Sequence, residues 1–475
     1  MHTQQLAIIE ELKTELSVLD LFGLFRDCPF SFFLDSSMNN RELGRYSFMG
    51  GAPFLLLHSH ADEVTVTAGN LSYKIKGSPF DILDRFLKQY QVSCSMPSIP
   101  LTGGAVGYFS YDLNHFIEHL PGATVDNLHF PESCFGFYDM VVVLDNIEGK
   151  TYIVSTGFPE MRERQRIDRA AARIKEIKSK LVKIKCVNHD ISSRQRVSEQ
   201  VEIRSNFTRQ GYIDTIAKAR QYIIAGDIFE VNISQRFETR ILIPPYELYE
   251  RLRKINPSPF ACYLDFGEVQ IISASPERFL CVREDRVETR PIKGTRPRGT
   301  TPFEDRALAN ELLNSVKDRA ENIMIVDLVR NDLGRVCSYG TVKVAELAAL
   351  ETYPTVFHLT SAVVGNLRKG ISAIDVVKAA FPGGSITGAP KIRAMEIIGE
   401  LEPTRRSIYT GSIGYISFSG NMDLNIAIRT ILVHDQRACF QVGGAVVYDS
   451  NPECEYQETL HKAKALLDAL NNTVN

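Results

Sequence analysis

Apolar residues recur along this chain with two different periods, and the changes of period mark its elements. Through the first 155 residues the apolar runs are short and strand-like, at 30–34, 54–58, 63–66, 106–108 and 140–144. The pairs Gly50-Gly51, Gly103-Gly104 and Pro121-Gly122 separate them as turns. Helical spacing predicts a helix over about 4–17 and another over 79–88. Residues 159–186 are a charged stretch in which Ile167, Ala171, Ile174, Ile177 and Leu181 recur at three- or four-residue steps. This could be a basic helix for nucleic acid, but a solvated surface helix is the commoner source of such a pattern. Segment 187–206 is polar, lacks apolar periodicity and reads as a linker.

From residue 207 the texture is denser. The pattern predicts helices at 208–225, 245–254, 302–315, 317–332, 373–380, 390–401 and 455–470. Strands are expected at 228–241, 261–265, 269–274, 278–289, 341–346, 351–364, 411–418, 421–434 and 437–448. Runs of adjacent strands with inserted helices indicate an α+β protein with antiparallel pairing, not a βαβ parallel sheet. The division expected is an N-terminal α+β lobe over 1–190 and a second domain over 200–475.

Composition narrows the class. The chain has 475 residues, 44% hydrophobic and 23% charged, which excludes a mostly disordered protein. With 54 Lys plus Arg against 57 Asp plus Glu, nothing draws it as a whole to nucleic acid or to an anionic membrane. No apolar run approaches the roughly 18 residues of a membrane span, and the acidic N-terminus lacks the form of a signal peptide. Nine scattered cysteines, an odd number without a C-x-x-C pair, argue against a disulfide framework and a zinc site. A cytoplasmic protein is expected.

Several segments could carry chemistry. Gly383 and Gly388 have the glycine spacing of a phosphate loop, but Ala389-Pro390 stands where Lys-Ser/Thr should follow. The turn can still offer backbone N–H groups to a carboxylate, or be structural alone. Asp318 and Glu321 share one helical face, as do Glu455 and Glu458. Each pair is an ordinary charged face by itself; converging on one space, the two would suit Mg²⁺. Lys293 lies in a segment dense in cations, proline and glycine, and would become a nucleophile if desolvated. His358 stands among apolar residues, as core histidines commonly do. Arg429, in an expected central strand, must be paired or must face a ligand anion.

Taken together these segments resemble the chorismate-utilising enzymes: anthranilate synthase component I, aminodeoxychorismate synthase component I, and the isochorismate and salicylate synthases. The matching stretches are GDIFEVNISQRF (226–237), SASPERFL (273–280), PIKGTRPRG (291–299), ENIMIVDLVRNDLGRV (321–336), PGGSITGAPKIRAMEII (382–398), YTGSIGYI (409–416), IRT (428–430) and GGAVVYDSNPECEYQET (443–459). They run in family order over about 250 residues, and FFLDSSMNNRELGRYSFMG (32–50) extends the likeness less strongly into the first lobe. The resemblance implies a two-lobed anthranilate-synthase-like fold with a large antiparallel β-sandwich, outer helices and a deep cleft, in which the lobes can share strands.

Lysine in the PIxGT motif, here Lys293, resembles the aminodeoxychorismate branch, whereas anthranilate synthases usually carry alanine. The resemblance implies that Lys293 attacks C2 of chorismate as the 4-hydroxyl leaves, and that ammonia then adds at C4. It implies Glu277 as general acid/base, Glu321 and Glu458 as Mg²⁺ ligands, and Glu455 and Asp318 as their support. Mg²⁺ would hold the ring carboxylate and polarise the substrate. Arg429 and Tyr409 match a clamp on the enolpyruvyl carboxylate. Gly443, Gly444 and Lys462 match groups around the other carboxylate, the Gly388 turn lies close by, and Thr387 and His358 match residues beside the ring. Isochorismate and salicylate synthases carry a lysine base where this chain has Glu230, so water addition at C2 is not expected.

Ser36, Tyr46, Pro259 and Phe260 resemble the tryptophan pocket of these proteins, although Asp35 replaces a commoner glutamate. They also suit lobe packing. The sequence shows no glutaminase segment, so ammonia is expected from a separate glutamine amidotransferase subunit. The alternatives are anthranilate synthase component I and, from another class, an inactive tryptophan-binding subunit. The intact set Glu277, Lys293, Glu321, Arg429 and Glu458 argues against the latter.

Overall fold

The computed structural model describes residues 7–38, 43–93, 98–121, 125–184 and 202–471. Most of the predicted linker and Gly122 of the Pro-Gly turn lie outside them. Two large antiparallel sheets face one another. The first runs from Ile8–Leu12 through Lys150–Ser155, Met140–Asp145, Tyr46–Gly50 and Phe32–Asp35, then through Phe260–Asp265, Gln270–Ser275, Thr430–His434, Arg437–Val446 and Glu230–Arg240. The second runs from Ile292–Pro297 through Val356–Asn366, Arg286–Arg290, Arg278–Arg283, Met422–Asn425 and Ser412–Ser417, then through Gly104–Phe109, Ser133–Tyr138, Leu55–His60 and Glu63–Ala68 to Leu71–Lys76. Both sheets therefore draw strands from each side of the expected 190–200 boundary. Strand Phe32–Asp35 pairs with Phe260–Asp265, and Gly104–Phe109 pairs with Ser412–Ser417.

Successive residues of the strands serve different cores. Phe32, Phe48, Val141, Val143 and Val154 join Tyr108, Cys134 and Ile413 between the sheets. Their neighbours Phe33, Met49, Val142 and Ile153 turn outward beneath helices. Strands buried on both faces read as nearly continuous apolar runs, as the sequence shows here. The helix Glu163–Ile184 covers the first sheet with Ile174, Ile177 and Leu181, and its Arg169 and Arg173 reach buried Asp139 at 3.5 Å. It is the surface helix rather than a nucleic-acid arm. Helices Pro79–Gln89 and Val316–Gly334 pack on the second sheet and Ala373–Ala380 packs on both of them, while Lys391–Leu401 packs on Glu230–Arg240 of the first sheet; a further core joins all four.

Three predicted elements change. The helix expected over 4–17 is a strand at Ile8–Leu12 followed by a short helix at Val18–Phe22. Ile8 and Ile9 complete the free edge of Lys150–Ser155, so tertiary pairing overrides local helix propensity. Ser17 and Asp20 form a capping box that starts the helix there. The run 278–289 is a hairpin, Arg278–Arg283 with Arg286–Arg290. The run 421–434 is broken: Met422–Asn425 belongs to the second sheet and Thr430–His434 to the first. Arg429 thus lies not in a central strand but where the chain crosses between the sheets, with φ of 49°. Among the described residues no helix is long and apolar enough to cross a membrane.

Candidate active site

The crossings between sheets bring the charged residues together. Pro276-Glu277 links the first-sheet strand Gln270–Ser275 to the second-sheet strand Arg278–Arg283. The Glu277 side chain is buried there. Its Oε1 accepts from Ser385 Oγ at 2.5 Å and from the Ile292 N–H at 3.4 Å. Burial dominates and pushes the carboxyl up to about 7, against the hydrogen bonds from Ser385 and Ile292 and the charge of Lys293. Near neutral pH it can therefore give a proton as readily as take one.

Lys293 sits on the edge strand Ile292–Pro297, where the register against Val356–Asn366 shifts between Ile292 and Thr295. Gly294, at φ 86°, makes this bulge, and a Cβ on it would stand 3.0 Å from Asp318 and Leu312. Bulges re-aim side chains. Here Lys293 is buried and its Nζ donates to Glu230 Oε1 at 2.5 Å. Glu230 opens the strand Glu230–Arg240 of the other sheet, so this ion pair spans the sandwich. Burial disfavours the ammonium, but the charge and hydrogen bond of Glu230, with Glu321 and Glu277, hold its pKa above the ordinary lysine value.

Helix Val316–Gly334 supplies Asp318 and Glu321, and helix Pro452–Asn471 supplies Glu455, Glu458 and Lys462. Glu321 and Glu458 both lie within the field of Lys293. Glu321 Oε1 and Glu455 Oε2 are buried without hydrogen-bond partners. A Cβ on Gly444 would stand a tight 3.0 Å from Glu455 Oε2 and in ordinary contact, 3.7 Å, with Glu458 Oε1, so the glycine backbone lies directly against both carboxylates. Orphaned carboxylate oxygens on two converging helices fit a hard cation that keeps most of its waters. Among the described residues no three His, Cys, Asp or Glu side chains stand close enough together to hold a metal ion by themselves. Asp318 is turned away from this set, bonded to Arg296 at 3.0 Å. Lys462 donates to Gly443 O at 2.9 Å and pairs with Glu458 at 2.7 Å.

A second group surrounds the crossing at Arg429. Its guanidinium has one long hydrogen bond, to Asn256 Oδ1 at 3.4 Å, and among the described residues no carboxylate pairs with it. Burial pulls its pKa down. His358 feels the Arg429 charge; burial first, then Arg429 and Lys462, hold the imidazole down at about 3, so it is neutral. His358 Nδ1 meets Thr295 Oγ1 at 2.8 Å, while Nε2 is buried and unpartnered. Tyr409 packs against the Arg406 guanidinium, 5.8 Å from its ring.

The glycine turn is an anchor for this floor. Thr387 is fully buried, and its hydroxyl donates to Gly383 O at 2.8 Å. Gly388 has φ 139°, and a Cβ there would stand 2.2 Å from Glu230 O. Lys391 is engaged within the protein: it pairs with Asp332 at 2.7 Å and donates to Ala380 O. Sequence reasoning missed Ser385 as the donor to Glu277, and missed the buried Arg406–Glu402 pair that fastens Asn232 O and Ile386 O. Ser385 lies 108 positions from Glu277 and has no local signal; Arg406 and Glu402 are only four apart, but the two carbonyls that Arg406 fastens come from distant segments.

A cavity of about 440 Å³ lies elsewhere between the sheets, lined by Ser36, Tyr46, Pro259, Phe260, Arg278 and Tyr415 among others. It holds the residues likened to a tryptophan pocket. Ser36 Oγ donates to Tyr46 O and Pro259 O. Asp35 Oδ2 accepts from Arg253 at 2.6 Å and Tyr249 at 2.8 Å, and Oδ1 accepts from Ser47 Oγ at 3.3 Å, so both carboxylate oxygens already have partners within the protein.

With this geometry in place, comparison with known proteins is decisive. The family model for chorismate binding enzymes matches residues 41–468. The chain belongs to that family. It is 40% identical to anthranilate synthase component 1 of Cereibacter sphaeroides over 443 residues, 92% of this chain and 88% of that protein. It is 39% identical to aminodeoxychorismate synthase component 1 of Bacillus subtilis over 429 residues, 90% of this chain and 89% of that protein. The crystal structure of anthranilate synthase component I from Streptococcus pneumoniae superposes with a TM-score of 0.79 at 32% identity, covering 90% of this chain and 94% of that one. The two-lobed sandwich is thus the anthranilate-synthase-like α+β fold. The protein is a chorismate-utilising enzyme of the anthranilate and aminodeoxychorismate synthase component I type.

Proposed function

We propose that this enzyme aminates chorismate at C4, giving 4-amino-4-deoxychorismate. The observation that carries this reading is Lys293: a buried amine aimed by a bulge into the cleft and surrounded by Glu230, Glu277 and Glu321. A lysine joined to C2 blocks amination there and directs ammonia to C4. Glu277, held near neutrality, protonates the departing 4-hydroxyl. Arg429, a cation with no carboxylate partner among the described residues, takes a substrate carboxylate. Neutral His358 offers a ring edge without adding charge. Glu321 and Glu458 would hold Mg²⁺, with Glu455 beside them; when bound, the ion supplies positive charge for the ring carboxylate. Ammonia would come from a glutamine amidotransferase subunit, as the "component 1" in the relatives' names suggests. The product feeds para-aminobenzoate and so folate synthesis. The second reading, C2 amination to anthranilate, is favoured by the near-equal identity to anthranilate synthase components.

The deciding experiment incubates the purified chain with chorismate, Mg²⁺ and ammonium, with and without aminodeoxychorismate lyase. Lyase-dependent para-aminobenzoate is the expected product. Fluorescent anthranilate without lyase would sink the C4 reading.

The rate should also carry the signature of Glu277. A general acid must be protonated, so kcat should fall as pH rises through about 7. Glu277→Gln should lower kcat by about 100- to 10,000-fold and remove that limb. An unchanged limb in the variant would assign it to another group.

A further inference from the structure

An ammonium has no lone pair, yet the resting Lys293 is an ammonium. The groups facing it are Glu230 from the first sheet, Glu277 at the crossing, and Glu321 and Glu458 from the two helices. All are acidic, and Glu230 alone is hydrogen-bonded to Nζ. Glu230 is fully buried. Besides Nζ, the Asn232 amide approaches Oε1 at 3.4 Å, and Oε2 has no partner. The backbone under it is fixed on both sides: Glu230 pairs with Ala389, and Val231 with Gly388 and Val446. A carboxylate kept in an apolar interior with half its lone pairs unused is costly as a mere structural ion pair, since well-packed apolar residues would be at least as stable.

We propose that Glu230 is the proton acceptor that frees Lys293 for attack and the donor that resets it. This rests on the C4 reading. One Nζ proton moves 2.5 Å along the existing hydrogen bond to Oε1, giving a neutral amine and a neutral acid with no net charge change in the cleft. Substrate entry, by excluding water, favours this neutral form of the pair. The Nζ lone pair then bonds to C2. The C1–C2 double bond shifts to C1–C6, the C5–C6 double bond shifts to C4–C5, and the C4–O bond breaks. The hydroxyl leaves as water with the proton of Glu277, and Nζ is left as a secondary ammonium. Ammonia later bonds to C4, both double bonds return, and the C2–N bond breaks to release the neutral lysine amine. The proton on Glu230 then goes back to Nζ, restoring the starting pair. The ammonium that ammonia left on C4 gives one proton to the Glu277 carboxylate, which restores the acid and leaves the product as the free amine.

The test uses the full chain with Mg²⁺ and chorismate but without ammonium, following by intact mass the adduct of chorismate less one water. Rates are compared from about pH 5.5 to 6.5, below the value near 7 at which Glu277 loses its proton. With Glu230 as internal acceptor, the wild-type rate is flat over this window. Glu230→Gln slows adduct formation by at least about 100-fold and makes it rise about tenfold per pH unit, because solvent must now remove the proton. Glu230→Asp, which keeps a carboxyl, is slower but stays flat. A wild-type rate that itself rises tenfold per pH unit overturns the proposal even if neither variant folds. A Glu230→Gln rate equal to wild type also overturns it. No wild-type adduct, with anthranilate formed once ammonium is added, would instead remove the C4 reading on which it stands.

Discussion

Replacing Lys293 by alanine is expected to abolish C4 amination while leaving a folded protein that still binds chorismate. Loss of a covalent nucleophile removes the whole route rather than one of its contacts. The ammonium-dependent rate of 4-amino product should therefore fall by at least about 1,000-fold, or roughly 4 kcal/mol of barrier. The identity of the residual product matters more than its amount. With C2 no longer blocked, ammonia can approach C2 itself, and Glu277 still stands ready to protonate the leaving hydroxyl. Any residual amination should thus appear as the C2 product. Separation of products by chromatography and mass checks this directly. A Lys293→Ala enzyme that still makes the C4 product at wild-type rate would show that Lys293 is only the counter-ion of Glu230. The variant also leaves Glu230 buried without its cation, which in comparable pairs costs about 3–5 kcal/mol. Lys293→Met fills more of the space and separates lost chemistry from lost packing. Both should lose the C4 activity equally, although the methionine variant should melt higher.

How far the sequence alone carries such arguments differs by element. Long periodic segments are legible: the helix predicted at 373–380 and that at 245–254 are found at Ala373–Ala380 and Pro245–Ile255. Their apolar stripes are local, as is the Ser372–Asp375 capping box that starts the first. The first 17 residues were misleading because Ile8–Leu12 is decided by an open strand edge supplied by residues 150–155, which no local pattern reveals. The break in 421–434 was hidden for a similar reason. Strands buried on both faces read as one apolar run, and the charge at the crossing, Arg429, reads equally well as a ligand-facing residue within a strand. The candidate site was legible as residue types in motif order, not as geometry. Lys293 and Glu230 lie 63 positions apart, and their contact depends on a bulge in one sheet and the first residue of a strand in the other. The acidic helix pairs look equivalent in sequence. In space Glu321, Glu455 and Glu458 face the cleft, whereas Asp318 is spent on Arg296, a residue of the Lys293 strand.

Arg429 should behave in a way that a structural arginine would not. It lies at the crossing with φ of 49°; among the described residues its guanidinium hydrogen-bonds only to Asn256, at 3.4 Å, and has no carboxylate partner. Burial already pulls its pKa down, which means that the folded protein bears a cost for keeping this charge. A cation held at such a cost is explained by an anion that arrives from outside. Arg429→Met removes the charge and keeps much of the side-chain volume. Chorismate binding should suffer: loss of a desolvated carboxylate partner costs about 2–5 kcal/mol, or roughly 30- to 5,000-fold in kcat/KM. Because a contact to a non-reacting carboxylate is made equally in the ground and transition states, the loss should fall mainly on KM. Stability of the unliganded protein should move the other way, with a thermal midpoint unchanged or raised, since an unpaired buried charge has been replaced by an apolar group. An arginine that served the fold through hidden partners would give the opposite pair of results, a lower midpoint with KM intact. Calorimetry of the unliganded variant beside its steady-state kinetics separates the two. The expected pairing, higher stability with weaker substrate binding, would mark Arg429 as a residue kept for its ligand at the expense of the fold.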